Sequence, residues 1–333
     1  MDRNHLRTFH RRLHRWYQAY GRKNLPWRIT ADPYAIYVSE IMLQQTQVKT
    51  VLERYYFPFL ARFPTLAALA AAKQDEVLQA WQGLGYYNRA LNLHQSAKRC
   101  GKTLPKSIEK LTALPGIGRN TAHAIAAFAY RQPVAVMEAN VRRVLSRIFA
   151  LSQPNEAQLW EKAALLLDAA NPFDYNQAMM DIGAMICSKH APLCEECPAA
   201  AICAGKDAPE HYPLPKKAKA TPVRRKRIAV FRNPRGHYYA LPRTTRFLHG
   251  LYHFVESDAS SGQVDFQKRR YRFADGVELG HIRQQYSHFT LEAEVYLLEA
   301  SSKAGTWYDY ERLTQLPMSM AERKILALIL RIA

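Results

Sequence analysis

The 333-residue sequence is short of acid, with 28 Asp and Glu against 47 Lys and Arg and a formal net charge of +19. That imbalance favours a polyanionic partner. Cysteine is scarce, at 5 residues, and four of them crowd into 187–203. So few and so clustered, they argue against a disulfide framework. Cys100 stands apart and reads as a buried or half-buried thiol. No apolar run of about eighteen residues occurs, so no membrane span is expected. The segment 1–17 is rich in Arg and His and has no apolar h-region, so it does not read as a secretory signal. No long basic amphipathic helix with an aromatic face is evident, which argues against a membrane surface as the polyanion. Internal repeats and low-complexity segments are also absent.

What is present divides the chain in two. Up to about residue 205, apolar positions recur every three or four residues, as in Val51, Tyr55 and Phe59, and alanine-rich runs favour helix. Leu6, Phe9, Leu13, Trp16, Tyr17 and Tyr20 form the apolar stripe of a first helix. Breakers at 24–26, 83–85, 115–118 and 171–172 separate the helices. From Lys206 to Arg227, basic residues and prolines dominate, a linker composition. Beyond it the period becomes two. Strands are expected over 227–232, 237–241, 251–256, 271–273, 277–283 and 290–298, with a closing helix over 321–330. The expected fold is multidomain: a mostly α-helical domain over 1–205, a linker over 206–227 and an α+β domain over 228–333.

Two motifs carry chemistry. Leu114-Pro115-Gly116-Ile117-Gly118-Arg119-Asn120-Thr121 lies between helices expected over 108–114 and 119–130. Its glycines permit positive φ, so successive N–H groups can face one anion. The helix start that follows adds the positive end of its dipole. This is a helix–hairpin–helix element, which holds a nucleic-acid backbone without reading sequence. Its candidate contacts are Leu114, Gly116, Gly118, Arg119, Asn120 and Thr121. Downstream, Cys187, Cys194, Cys197 and Cys203 stand at the spacing C-x6-C-x2-C-x5-C. Four soft thiolates in one short segment suit an iron–sulfur cluster. Zinc competes for the same donors, although structural zinc sites often use two C-x2-4-C pairs and this chain has one. The apolar run 179–186 reads as a helix shielding one side of the cysteines.

Several further stretches accompany these motifs: Leu25-Pro26-Trp27-Arg28, Ser39-Glu40-Ile41-Met42-Leu43-Gln44-Gln45-Thr46-Gln47, Gly83-Leu84-Gly85-Tyr86-Tyr87, and 176–187 from Asn176 to Cys187. Together they resemble the adenine-specific MutY branch of the endonuclease III superfamily of DNA glycosylases. The resemblance is strong over 5–204. It weakens in the second domain, where Tyr286-Ser287-His288-Phe289 is similar to the family's F-S-H loop. It implies a [4Fe-4S] cluster on the four cysteines and a MutT/Nudix-like fold for the C-terminal domain. The implied reaction is monofunctional removal of adenine mispaired with 8-oxoguanine or G in double-stranded DNA. The implied setting is a monomer in the cytoplasm, nucleoid-associated in a bacterium and away from membranes.

That chemistry demands particular groups. The target base is inaccessible in the stack and must be flipped out. Cleaving its N-glycosidic bond leaves positive charge on the sugar and negative charge on adenine. An acid must protonate the base, and a carboxylate must stabilise the sugar. By resemblance Glu40 is the acid, its pKa raised by apolar neighbours. Glu138 takes the place of the second carboxylate, and Asn140 positions water or that carboxylate. Gln45 is the wedge that fills the gap, Gln44 contacts the lesion pair, and Tyr87 lies beside the damaged guanine. Ser287 and His288 read 8-oxoguanine.

The sequence departs from the family pattern at Glu138, where aspartate is usual, and at Asn120, where bifunctional relatives carry a Schiff-base lysine. An asparagine cannot form that base, so strand cleavage is not expected. The C-terminal domain has no G-x5-E-x7-R-E-x2-E-E box and hence no acidic magnesium site. These departures leave two other readings open: a glycosylase of the same fold with altered mispair preference, or a lesion-binding protein with reduced catalysis.

Overall fold

The computed structural model describes residues 3–215, 220–301 and 304–331. Residues 216–219 of the expected linker lie outside the described residues, as do 1–2 and 332–333 at the ends of the expected domains. In chain order the helices are α1 (Arg3–Tyr20), α2 (Pro26–Ile29), α3 (Pro33–Met42), α4 (Val48–Arg54), α5 (Tyr56–Arg62), α6 (Leu66–Ala71), α7 (Gln74–Ala80), α8 (Asn88–Cys100), α9 (Ile108–Thr112), α10 (Arg119–Tyr130), α11 (Ala139–Ile148), α12 (Glu156–Leu166), α13 (Pro172–Asp181), α14 (Tyr310–Gln315) and α15 (Met320–Ile329). The strands are β1 (Val223–Arg232), β2 (Tyr238–Tyr239), β3 (Leu241–Pro242), β4 (Tyr252–His253), β5 (Val255–Asp258), β6 (Gln263–Phe266), β7 (Arg269–Arg272), β8 (Val277–Gln285), β9 (Thr290–Glu299) and β10 (Trp307–Tyr308). Two compact units result. One comprises Met1–Val51, Thr65–Ala67 and Gln95–Lys217; the other comprises Leu52–Pro64, Ala68–His94 and Ala218–Ala333. The helical stretch over 1–205 thus contributes to both.

In the first unit α1 buries Phe9, Leu13 and Tyr17 at four-residue spacing. They join a core that includes Val141, Val144 and Leu145 of α11 and Tyr175, Ala178 and Met179 of α13, and that reaches Cys187. α1 is a long basic amphipathic helix, which corrects the expectation that none exists. Its apolar face is committed to this core. α3 packs on α10, where Ala122, Ala124, Ala126 and Ala127 are fully buried and let the two backbones approach closely.

α13 does not run on as ordinary helix into Cys187. Ile182–Ile186 form a single π turn, and the Cys187 N–H donates to the Ile182 carbonyl at 2.7 Å. Such turns are rare and frequent at functional sites. Gly183 lies in this turn against α11. A Cβ there would sit 2.7 Å from the Asn140 Cβ and 3.1 Å from its backbone.

The early part of the segment read as linker is bonded to the first unit. The Pro209 carbonyl accepts from Arg147 Nε at 2.9 Å, and Leu214 donates to the Ser152 carbonyl at 2.9 Å. Its last residues, from Val223, already belong to β1. Proline and basic content hides these attachments because the partners are backbone groups.

In the second unit β1 is central. It pairs in parallel with β9, from Val223 opposite Thr290 to Arg232 opposite Glu299, and antiparallel with β2 and β5. β8 pairs antiparallel with β9, and β10 with β2. Ile228 and Val230 face a core shared with α15, while Ala229 and Phe231 face a second core with Val264, Phe266 and Phe273. Both faces are covered, so strict alternation of polar residues is lost, as for any doubly buried strand. The strand expected over 271–273 falls on the end of β7, with Phe273 in a following 3-10 turn; β6, β10 and α14 were not foreseen and are too short to show a period.

Adding one methyl group at position 183 tests how tightly the π turn is wedged. Gly183→Ala should destabilise the protein by about 1–3 kcal/mol, the ordinary cost of overpacking. Denaturant unfolding would show the loss, and an unchanged midpoint would mean the turn yields freely.

Candidate functional site

Glu40 lies near the end of α3, where every residue from Tyr34 to Met42 is buried. Burial, then the charge of Glu138, push the Glu40 carboxyl up to about 8, against the smaller opposing pull of Arg28. Glu138 is the N-cap of α11. Burial raises its pKa as well, but here the next largest influences are Arg28 and Arg22, both of which favour the ionised form. The charge of one expected catalytic carboxyl, Glu138, therefore reaches the other, Glu40, and their surroundings differ. Glu138 has two cations in its favour; Glu40 has one and faces an anion.

The cation they share is fixed by Asp181. Arg28 donates through Nη1 and Nη2 to the two Asp181 oxygens at 2.7 and 2.9 Å. Arg22 adds its backbone N–H at 2.9 Å and its Nε at 2.7 Å. Asp181 is fully buried. Burial alone would raise its pKa, but the Arg28 and Arg22 bonds outweigh it and hold the carboxyl below its ordinary value. Arg28 Nε is buried without a partner, which leaves one donor of this guanidinium uncommitted. Nothing in the sequence identified Arg28 or Asp181 as a pair.

The segment leading to Glu138 is tethered on both sides. The Asn176 side chain accepts from the Val136 N–H at 2.8 Å and donates to the Val134 carbonyl at 2.9 Å. Asn120 accepts from the Met137 N–H at 2.7 Å. Asn120, expected at the DNA backbone, thus holds the residue before Glu138. Asn140 accepts from Arg143 Nη2 at 2.9 Å, and Arg143 also donates to the carbonyls of Gly183 at 2.6 Å and Cys187 at 2.8 Å.

The expected DNA contacts fall into distinct settings. Gln45 is exposed and strained at φ 57°, a conformation uncommon outside glycine and often stored at functional sites. Gln44 donates to Thr121 Oγ1 at 3.2 Å and so ties this turn to α10. In the hairpin Gly116 has φ 73°, and Gly118 caps α10 with no side-chain bond to its first turn. The first-turn N–H groups of α10, as at any helix start, have no intrahelical partner. Ile117 and Leu114 anchor the loop through a 3.2 Å backbone bond. The Arg119 guanidinium lies 4.0 Å from the Trp160 ring centroid. Ser287 and His288 are exposed on a turn closed by the Tyr286 N–H to the Phe289 carbonyl, and Phe247 packs on the rings of Tyr286, His288 and Phe289.

Tyr87 is a correction. Its ring is buried, and its hydroxyl accepts from the Gly83 N–H at 3.1 Å and donates to the Met318 carbonyl at 3.4 Å. It is a core residue of its unit, with no face free to meet a base. The exposed ring is Tyr86, 45% accessible and at φ 49°. Trp81 and Leu84, also buried, share three-residue spacing with Tyr87, which is the signal that could have separated the two.

Cys187, Cys194, Cys197 and Cys203 line one pocket, with Arg147, Ile186, Leu193 and Ala200 among its walls. Arg147 is buried and donates to Cys187 Sγ at 3.2 Å and to the Ser188 carbonyl at 2.6 Å. Burial pushes the Cys197 thiol up to about 12. Among the described residues no three His, Cys, Asp or Glu side chains are placed to grip a single metal ion.

A family model described as HhH-GPD superfamily base excision DNA repair protein matches residues 38–167. An adenine DNA glycosylase from Buchnera aphidicola subsp. Schizaphis graminum is 31% identical over 332 residues, covering 93% of this chain and 95% of that one. One from Buchnera aphidicola subsp. Baizongia pistaciae is 40% identical over 203 residues, but the match spans only 58% of its length. The solved structure of a thermostable thymine-DNA glycosylase superposes on 61% of this chain with a TM-score of 0.56 and 27% identity. With a relative matched over nearly its whole length, the chain belongs to the adenine DNA glycosylase family.

Removing one partner of the buried ion pair tests its weight. Asp181→Asn should cost about 3–5 kcal/mol, because Arg28 is left charged and buried. The double change Arg28→Met with Asp181→Leu should recover most of that loss. Denaturant unfolding of the two variants decides it, and an equal loss in both would mean the cost is packing.

Proposed function

We propose that the chain removes adenine mispaired with 8-oxoguanine, or with G, from duplex DNA by hydrolysing the N-glycosidic bond without cutting the strand. The observation that carries this reading is the unlike pair of buried carboxyls at Glu40 and Glu138. Two such groups in one site do not readily ionise together, and environments that push their pKa values apart assign their roles. Burial raises both carboxyls; Arg28 and Arg22 oppose it at Glu138, whereas at Glu40 the Glu138 charge adds to it, so we assign the proton to Glu40 and the charge to Glu138. Glu40 then donates to the adenine ring as the bond parts, and Glu138 stabilises the cation left on the sugar. A group whose pKa lies near the working pH makes the better general acid.

The remaining residues deliver and hold the base. The hairpin N–H groups grip phosphate without reading sequence, and the strained Gln45 turn supplies the wedge that occupies the vacated stack. Tyr86 takes the role expected of Tyr87, since it is the ring that is exposed. Asn140, locked by Arg143, orients Glu138 or the attacking water. Asn120 offers no amine, consistent with hydrolysis alone. Ser287 and His288 read the opposite 8-oxoguanine.

The four cysteines fit a [4Fe-4S] cluster. They are four thiol donors around one pocket, with an arginine N–H aimed at a sulfur. The cluster would hold the 187–203 lobe together; no step of base removal passes through it. A second reading, altered mispair preference, is favoured by the extra methylene of Glu138. The superposed relative is named for thymine, so the fold alone does not choose the base.

Glu40→Gln should abolish adenine release, scored by alkali cleavage of A:8-oxoguanine duplexes, while binding persists. Turnover near wild type would remove Glu40 from the mechanism. In the wild type the single-turnover rate should fall as pH rises through about 8, where Glu40 loses its proton; a rate that climbs there would reverse its role. The purified protein should be brown and carry about four irons per chain, whereas a colourless zinc protein would refute the cluster.

A further inference from the structure

The outer face of α1 carries charge that no acid among the described residues answers. Arg3, Arg7, Arg11 and Arg15 recur every four residues, Arg12 lies beside them, and all five are exposed. The helix contains no acidic residue. Among the described residues none of the five makes an ion pair or a side-chain hydrogen bond. The acid beside the helix, Asp174, faces His14 at 3.9 Å and Gln18 at 3.4 Å instead. Some exposed arginines of the second unit do face acids: Arg225 faces Glu292 at 3.4 Å, and Arg270 and Arg272 face Asp265 and Asp275 at 2.8 and 2.9 Å.

Such a row works against its own helix. Like charges four residues apart repel, and cations in the first turn oppose the helix dipole. The packing of Phe9, Leu13 and Tyr17 holds the helix in place regardless. Four residues of helix rise about 6 Å, so the row extends over about 18 Å. One DNA strand presents a phosphate about every 3.4 Å along its axis, so the row matches roughly five of them. A membrane is the poorer partner, because the apolar face that would enter it is already buried.

We propose that the Arg3–Arg7–Arg11–Arg15 face of α1 is a second DNA-backbone surface, separate from the hairpin, that holds duplex through phosphates alone. This rests on the DNA-glycosylase reading above. It adds affinity and salt dependence but no chemistry.

The test is the salt dependence of binding to lesion-free duplex, comparing wild type with the triple variant Arg7→Gln, Arg11→Gln, Arg15→Gln and the matching triple lysine variant. Each lost phosphate contact lowers the slope of log affinity against log salt by about 0.9, so the glutamine variant should lose about 2 to 3 units. The lysine variant should keep the wild-type slope. Adenine release at saturating enzyme should be unchanged in both, and circular dichroism should show α1 intact. If wild type releases adenine and binds with a steep slope that the glutamine variant retains, this proposal alone falls. A wild type that binds no duplex would overturn both this proposal and the glycosylase reading. Loss of affinity for vesicles containing phosphatidylglycerol, with the DNA slope unchanged, would give the face to a membrane and also overturn it.

Discussion

A guanidinium fixed in the interior sets the chemistry available to this protein. Arg28 is pinned by both oxygens of a fully buried Asp181, and its charge reaches two carboxyls. That charge opposes the upward push of burial on both acids, and Arg22 adds to it at Glu138. A buried ion pair is a poor source of stability when set against well-packed apolar residues. Its worth here is electrostatic, in the charge it places near two buried acids.

The scaffold leaves the second carboxyl little freedom. Glu138 starts α11, and the residues before it are bonded to Asn120 and Asn176. Two residues later Asn140 is clamped by Arg143, which also holds the π turn at Gly183 and the Cys187 carbonyl. The cysteine lobe and the carboxylate segment are therefore joined by α11 and a short set of hydrogen bonds. Catalytic groups tolerate little displacement, and an extra methylene at Glu138 is tolerable only where the backbone beneath it is so fixed.

What could be read beforehand was what lies close in sequence. The hairpin 114–121 and the cysteine spacing are local, and both appear as contiguous features. Glu40 was legible through the family motif around it, whose apolar neighbours implied a raised pKa. Arg28 and Asp181 were not, because 153 positions separate them and no spacing rule connects them. Tyr86 and Tyr87 could not be told apart by composition; burial assigns Tyr87 to the core. The start of the linker looked detached because its anchors are backbone carbonyls reached by Arg147 and by its own N–H groups. The Arg-rich start was visible in composition, and the arginine row of α1 follows from the same helical period as its apolar stripe.

The most direct test is the titration of Glu40 itself, followed by carboxyl carbon NMR on glutamate-labelled protein and assigned by comparison with Glu40→Gln. The account predicts a midpoint well above neutrality that falls when Glu138→Gln removes the neighbouring charge. A midpoint in the ordinary carboxylate range of about 4 to 5, insensitive to Glu138, would contradict it.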